Sequence, residues 1–186
     1  MNSLKLLRRY IHVLTETKLG QKYYHGSSRA HTIGSTIKAT KSRPTEFSDR
    51  ISIVDNISVE DFVEQHRPQN LPSRLQCIFM VDDVTDLNMA GASEDYVYEV
   101  EPVGTVASCD FGWFQQLLGI IFDQEDGSKI GFLNNPEATK MAKMYWSGKQ
   151  SSYEGGHREF LAFQVKIIRQ VDAFKEEYPF RLKSRR

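Results

Sequence analysis

The apolar positions at the start of the chain repeat at helical spacing. Four of them recur at steps of three and four residues: Leu4, Leu7, Ile11 and Leu14. This spacing predicts an amphipathic helix over about residues 3–18, ended by Gly20. Its basic residues are expected to form an ordinary solvated face rather than a surface for nucleic acid.

The next segments are short and separated by polar stretches. Residues 22–25 are predicted to form a short strand that runs into a turn, and "TIGSTIKA" at 32–39 a second extended piece. The polar run at 40–49 contains a proline and suits a loop. Ser58 is expected to begin a short helix through a capping box or a close relative, and Pro68 closes that segment.

Two β-favouring segments follow in the middle of the chain. "RLQCIFMVDD" at 74–83 has an apolar centre that predicts a buried strand, and "DYVYEVEP" at 95–102 predicts another, closed by Pro102. The residues between them, 84–94, have room for only a short helix or turn.

Two helices are predicted in the second half. Asp110 is a suitable N-cap for "FGWFQQLLGIIFDQ" at 111–124, which is apolar enough to be mostly buried. Asn135 begins a second helix, "PEATKMAKMYW" at 136–146, and Gly148 is well placed to end it. The aromatic residues of both helices are expected in the core.

The last apolar segment, residues 159–171, alternates like a half-buried strand. Leu161, Phe163, Val165 and Ile167 share one parity, and Glu159 falls in the same row. A carboxylate in a core-facing row is costly unless it is paired or used. If Glu159 is only a structural residue at the strand end, Arg158 or Lys166 would be its partner.

Short strands and irregularly spaced helices predict an α+β domain that spans residues 1–186. Lysine plus arginine and aspartate plus glutamate both number 24, so a broadly basic nucleic-acid surface is not expected. Cys77 and Cys109 lack metal-ligand spacing, which predicts neither a disulfide nor a metal site and favours the cytoplasm. No apolar run is long enough for a membrane span, so no membrane partner is expected.

The motifs of several enzyme classes are absent from the sequence. There is no GxGxxG after a strand and no GxxxxGK[ST], which removes support for a Rossmann cofactor site or a P-loop. There is also no HExxH and no GxSxG. Candidate chemistry therefore has to come from another arrangement.

Three segments in order resemble the ADP-ribosyltransferase superfamily, in the branch marked by histidine, an aromatic residue and glutamate. "YYHGSS" followed by "IGSTIKA" resembles the first-strand motif. "CIFMVDDVTDLNMAG" followed by "YVYEVEPVG" is similar to rifampicin-modifying members. "REFLAFQVKII" resembles the catalytic-glutamate strand of DNA-modifying toxins. The resemblance spans roughly residues 22–171 and implies a core in which the β-sheet is split in two.

The resemblance implies a set of residues that bind NAD, which is consumed as a substrate. Glu159 takes the catalytic role, because cleavage of the nicotinamide–ribose bond needs a carboxylate near the developing positive charge. His25 would bond the adenine-side ribose, the backbone of Gly26 would hold the nicotinamide amide, and Ser27 would add a hydroxyl contact. Phe79 takes the position of a stacking tyrosine, with Tyr98 or Tyr24 as alternatives.

The acceptor side of the site is less sharply defined by the sequence. The loop before Glu159 offers Tyr153, His157 and Arg158 as contacts to an acceptor, and His157 stands where arginine-modifying members have Glu or Gln. An arginine acceptor is therefore disfavoured. Asp110 is an alternative acidic residue if the rifampicin-modifying group is the closer relative, although a helix N-cap is its simpler role.

The expected function is mono-ADP-ribosyl transfer to a host protein or nucleic acid, as in a toxin or phage effector. Two alternatives stay open. One is a non-catalytic interaction or inhibitor protein of phage or mobile-element type on the same fold. The other is an NAD hydrolase, in which water replaces the acceptor.

Overall fold

The computed structural model describes residues 20–39, 56–87, 93, 95–122, 131–154 and 156–172. The helix expected at about 3–18 and the loop expected at 40–49 lie outside these residues. The described part contains three α-helices: α1 Val59–Gln65, α2 Phe111–Phe122 and α3 Pro136–Trp146. It contains seven strands: β1 Tyr23–Ser27, β2 Thr36–Lys38, β3 Ile78–Met80, β4 Tyr96–Pro102, β5 Val106–Asp110, β6 Arg158–Ala162 and β7 Gln164–Val171.

The strands form two antiparallel sheets. The first has the order β1-β4-β7-β2, and the second has the order β3-β6-β5. The sheets meet where β1 approaches β3: Tyr24 N donates to Val81 O at 2.8 Å, and Val81 N donates to Tyr24 O at 3.0 Å. This mixed architecture is compatible with the predicted α+β class.

The segment predicted as one long strand is two strands in different sheets. Ala162 ends β6 and pairs with Ile78, whereas Gln164 begins β7 and pairs with Lys38. Phe163 lies between them and is 47% exposed, so the prediction that it faces the core was wrong. Alternation of apolar residues cannot reveal such a change, because it continues across the break without a shift of parity.

The expected pattern of burial holds for β7 and fails for β6. Val165 and Ile167 are buried, and the intervening Lys166 is exposed, as in a strand with one solvated face. In β6, however, every residue from Glu159 to Ala162 is buried. At β6 the helices cover one face of the three-stranded sheet, and the four-stranded sheet covers its opposite face.

Local capping signals identified two helix starts correctly. Ser58 Oγ accepts a hydrogen bond from Asp61 N at 3.0 Å and donates to Asp61 Oδ2 at 2.7 Å, a close relative of the capping box. Asn135 Oδ1 accepts from the amides of Glu137 and Ala138. Both interactions satisfy backbone donors that a helix start leaves free.

Strand boundaries were predicted less well. β1 extends two residues beyond the prediction, so Gly26 and Ser27 belong to the strand and not to a turn. Residues 74–76 form a 3₁₀ turn, and a second 3₁₀ turn covers 84–86. The strand at 106–110 was not predicted, because its small residues carry no clear apolar alternation.

Three apolar clusters hold these elements together. The largest lies between the helices and the three-stranded sheet and includes Phe114, Trp146 and Leu161. As predicted, most of the helical aromatic residues are in this core, while Trp113 packs at its edge. Cys77 and Cys109 are not joined in a disulfide, and both are buried in the same cluster. Within the described residues, no helix is both long and apolar enough to cross a bilayer.

Gly148 fixes the end of α3 against β5 and gives a test of this packing. Its φ is +64°, and a Cβ there would lie 2.6 Å from the carbonyl oxygen of Ser108. We expect Gly148→Ala to lower the free energy of unfolding by about 2 to 4 kcal/mol, from left-handed strain plus overpacking. Urea denaturation monitored by circular dichroism measures this loss.

Gly104→Ala is the matched control. Gly104 has a φ of +89°, but no heavy atom lies within 4 Å of its Cβ position. The free energy of unfolding of Gly104→Ala should fall by about 1 to 2 kcal/mol, from backbone strain alone. Equal losses in the two variants would contradict the close contact with Ser108.

Candidate functional site

The candidate site begins where β1 and β3 separate. Tyr24 is bonded to Val81 in both directions, so its peptide groups point toward the three-stranded sheet. Peptide groups two residues apart in a strand point the same way, and those of Gly26 therefore face this sheet too. Gly26 is buried, yet no described residue of β3 bonds to its N–H or C=O. A peptide donor and acceptor are thus left facing the gap.

His25 spans the same gap with its side chain. Its Nδ1 lies 2.9 Å from the carbonyl oxygen of Phe79. Because a carbonyl only accepts hydrogen bonds, Nδ1 carries a proton and donates it. The imidazole thus links the two sheets at the point where their backbones no longer pair.

The Phe79 ring connects this seam to a buried arginine. The guanidinium carbon of Arg74, at the start of the first 3₁₀ turn, lies 4.8 Å from the centre of that ring. Three further rings surround the same group at 4.5 to 5.6 Å: Phe111, Phe114 and Tyr145. Arg74 is only 6% exposed, so these rings take the place of its hydration shell.

Glu159 is the counter-ion of Arg74. Glu159 is the second residue of β6 and is 1% exposed. Arg74 Nη1 and the Tyr145 hydroxyl both donate to Oε1 of Glu159, and neither uses Oε2. Glu159 is thus buried and paired, but its partners are Arg74 and Tyr145 and not Arg158 or Lys166, the partners that a purely structural role suggested.

The buried cluster shifts the pKa values of its members. Burial is the largest single influence on Arg74 and lowers its pKa, but the charge of Glu159 together with Tyr145 and Cys77 outweighs burial, so the pKa lies above the ordinary value for arginine. Burial raises the pKa of Tyr145 well above its ordinary value. Burial also raises the pKa of the Cys109 thiol, and the charge of Glu159 adds to that effect. Cys109 faces Glu159 across the β5–β6 pair.

Asp110 holds backbone groups at the start of α2. Its Oδ1 accepts from Gly112 N at 2.9 Å, and its Oδ2 accepts from Ser151 N at 3.2 Å. A Cβ at Gly112 would collide with the Ser151 hydroxyl and lie 2.9 Å from Asp110 Oδ1. This geometry matches the N-cap role expected for Asp110 and ties the loop before β6 to the helix.

Ser27 and the two alternative aromatic residues lie near β1 in different surroundings. Ser27 Oγ accepts from Arg29 N at 3.1 Å and lies 3.0 Å from His31 Nε2. Tyr98 is buried and its hydroxyl accepts from His31 N at 2.8 Å. Tyr24 is buried in a small apolar cluster with Val81 and Leu87. Of the three aromatic candidates, Phe79 is the one whose ring packs on Arg74.

The three acceptor candidates do not share one exposed loop. Tyr153 is 44% exposed, and Arg158 is also exposed. His157 is instead 6% exposed and packs with its ring centre 4.9 Å from that of Phe111. Neither ring nitrogen of His157 has a hydrogen-bond partner among the described residues.

Sequence reasoning missed Arg74 and the hydrogen-bonding role of Tyr145. The available signal was the position of Glu159 in an apolar row, because a buried carboxylate requires a buried cation or several donors. The position of Glu159 shows that its carboxylate needs a partner, but it does not identify that partner. Arg74 is 85 residues away in the chain.

Comparison with known proteins adds no assignment: no family model matches this chain, and no curated protein matches it. The described residues also contain no group of three or more His, Cys, Asp or Glu side chains that could hold a metal ion. The chemistry of the site therefore rests on its own residues.

Removing the charge of Glu159 tests the buried ion pair. We expect Glu159→Gln to lower the free energy of unfolding by about 3 to 5 kcal/mol, because Arg74 becomes an uncompensated buried cation. The double variant Arg74→Met/Glu159→Gln should lose less than the sum of the two single variants. Urea denaturation of all variants measures both effects.

Glu101→Gln is the control for this cycle, since Glu101 is an exposed glutamate on β4. Its effect should stay within about 0.5 kcal/mol of zero. A Glu159→Gln loss as small as that of Glu101→Gln would contradict the ion pair.

The raised pKa of Cys109 predicts a loss of stability in alkali. Below about pH 8.5 the thiol is protonated in both states and its contribution is complete. Above that pH the unfolded chain releases a proton that the folded protein keeps, so stability falls by up to about 1.4 kcal/mol per pH unit from this group. Cys109→Ala should flatten the slope between pH 8.5 and pH 10, measured by urea unfolding. An unchanged slope would contradict the assignment.

Proposed function

We propose that this chain is an NAD-dependent mono-ADP-ribosyltransferase. The observation that carries the proposal is the seam at Gly26, where a buried peptide donor and acceptor face a gap between two sheets. A primary carboxamide such as that of nicotinamide offers the complementary acceptor and donor. The absence of a Cβ at Gly26 allows a ligand to approach this peptide closely.

The other implied NAD residues lie around the same seam. His25 bridges to the backbone of Phe79, the Phe79 ring packs on Arg74, and Arg74 pairs with Glu159. Three segments that are remote in sequence thus supply one connected cluster. The division of the strands into two sheets also agrees with the split core that the resemblance implies.

The proposed reaction breaks the bond between nicotinamide and the ribose C1 atom. Nicotinamide leaves with the bonding electron pair, and the ribose passes through an oxocarbenium-like state. The Glu159 carboxylate stabilises this positive charge and orients the ribose hydroxyls. An acceptor nucleophile then bonds to C1 and releases its proton. Tyr153 and Arg158 are exposed and available to contact a host protein or nucleic acid.

The burial of Glu159 favours a second candidate, an interaction or inhibitor module without catalysis. Glu159 is 1% exposed and is already bonded by Arg74 and Tyr145. Its contribution to packing and charge pairing is enough to explain a glutamate at this position without a catalytic role. On this hypothesis the role of the cluster would be to hold the helices on the sheet, and the outer surfaces would bind the partner.

Incubation with NAD separates the two candidates. We expect the wild-type protein to release nicotinamide, to transfer labelled ADP-ribose to a component of a cell lysate, and to be stabilised by about 2.7 kcal/mol when NAD is at 100 times its Kd. The Arg74→Met/Glu159→Gln double variant should fold but release no nicotinamide. It removes the carboxylate without leaving a buried cation, which Glu159→Gln alone cannot do.

Glu101→Gln is the matched control and should keep wild-type turnover. Nicotinamide release by the double variant at the wild-type rate would overturn the role of Glu159. A wild-type protein that neither binds nor cleaves NAD would overturn the enzyme and favour the interaction module. Label recovered only as free ADP-ribose would indicate hydrolysis in place of transfer.

A further inference from the structure

A serine and a histidine at the end of β1 are hydrogen-bonded to each other. Ser27 is the last residue of the strand, and its Oγ lies 3.0 Å from Nε2 of His31. A hydroxyl within hydrogen-bond reach of an imidazole is the contact between nucleophile and base in enzymes that use an activated serine. Neither residue belongs to the buried cluster around Arg74.

The contacts of the Ser27 hydroxyl leave its proton for the imidazole. The backbone N–H of Arg29 donates to Oγ at 3.1 Å, so one lone pair of the oxygen is already used. An N–H group cannot accept a hydrogen bond. Of the two described atoms that contact Oγ, Nε2 is therefore the one that can take the hydroxyl proton. It does so when the imidazole is neutral and carries its own proton on Nδ1.

A buried tyrosine holds His31 in place. The backbone N–H of His31 donates to the Tyr98 hydroxyl at 2.8 Å, and its ring packs edge-on against the Tyr98 ring with centres 5.6 Å apart. Tyr98 is 1% exposed and lies on β4, the strand that pairs with β1. Both partners are thus fixed by paired strands, because β1 carries Ser27 and β4 orients His31 through Tyr98.

The pair lies at the protein surface. Ser27 and His31 are each partly exposed, and the intervening residues 28–30 are exposed. A small molecule can therefore approach Oγ from solvent without entering the core.

We infer that Ser27 and His31 form a nucleophile–base pair that takes an acyl group from a carboxylic ester. Ser27 Oγ bonds to the carbonyl carbon while its proton passes to His31 Nε2. The ester C–O bond then breaks, and the leaving alcohol takes the bonding electron pair and the proton from the imidazole. The products are an acyl group on Ser27, a free alcohol and a neutral His31. This site goes beyond the proposed function, because none of these steps involves NAD.

A fluorophosphonate probe tests the pair directly, because an unactivated serine hydroxyl is a weak nucleophile. Oγ bonds to phosphorus, its proton passes to Nε2, and fluoride leaves with the electron pair of the P–F bond. Peptide mass spectrometry then locates the label. We expect the wild-type protein to be labelled at Ser27 without NAD and Ser27→Ala to lose that label. His31→Gln should react about a hundredfold more slowly, at the low end of what a general base contributes.

Ser35→Ala is the matched control. Ser35 lies in the turn before β2, and its Oγ donates to the carbonyl oxygen of Thr32 at 2.6 Å and not to a histidine. This variant should keep the wild-type labelling rate. Circular dichroism checks that each variant is folded, and His31→Asn replaces His31→Gln if the latter does not fold.

Two results would overturn the inference. One is a folded wild-type protein that carries no label on Ser27. The other is a folded His31 variant that is labelled at the wild-type rate. Nicotinamide release from NAD is measured separately, so either result leaves the proposed function standing.

Discussion

The ion pair between Arg74 and Glu159 is the interaction on which most of the described architecture depends. Two charges removed from water cost more than their attraction returns unless their remaining hydrogen-bonding groups are satisfied. Here the satisfaction comes from the Tyr145 hydroxyl and from four aromatic rings. These groups belong to different elements, so the helices and the three-stranded sheet are held in one relative position by an electrostatic requirement as well as by apolar packing.

At the seam between the two sheets, the backbone pairing of β1 with the β3 side is incomplete. A single two-way backbone contact joins Tyr24 to Val81, and beyond it the side chain of His25 replaces the next ladder bond. In a continuous sheet, the N–H and C=O of Gly26 would be hydrogen-bonded to the neighbouring strand. The divergence leaves them without a strand partner among the described residues, and this is the physical basis on which a ligand site is proposed there.

The sequence predicted the parts of the fold that depend on near neighbours. Ser58 and Asn135 were recognisable helix starts because a capping side chain bonds amides two or three residues away. Val165 and Ile167 were recognisable core positions because strand geometry alternates strictly. For the candidate site, the need of Glu159 for a partner was predictable from its row.

The parts that were not predictable depend on distant contacts. Nothing near Glu159 indicates Arg74, and nothing near Val106 indicates that 106–110 pairs with β6. The change of sheet at Phe163 is also invisible locally, since the same alternation would suit one uninterrupted strand. In each case the structure is decided by which remote segment is available as a partner, which propensity does not encode.

The change of sheet at Phe163 also sets a length scale for the candidate site. Glu159 lies four residues before this point, and β7 pairs directly with β4, which carries β1 and Gly26. At about 3.3 Å per residue, the covalent path from Glu159 to the crossing is roughly 13 Å. The continuous β6–β7 segment therefore sets the separation between positions in the two sheets: inserting or deleting a residue between 159 and 163 would move the carboxylate relative to the Gly26 peptide without altering either group.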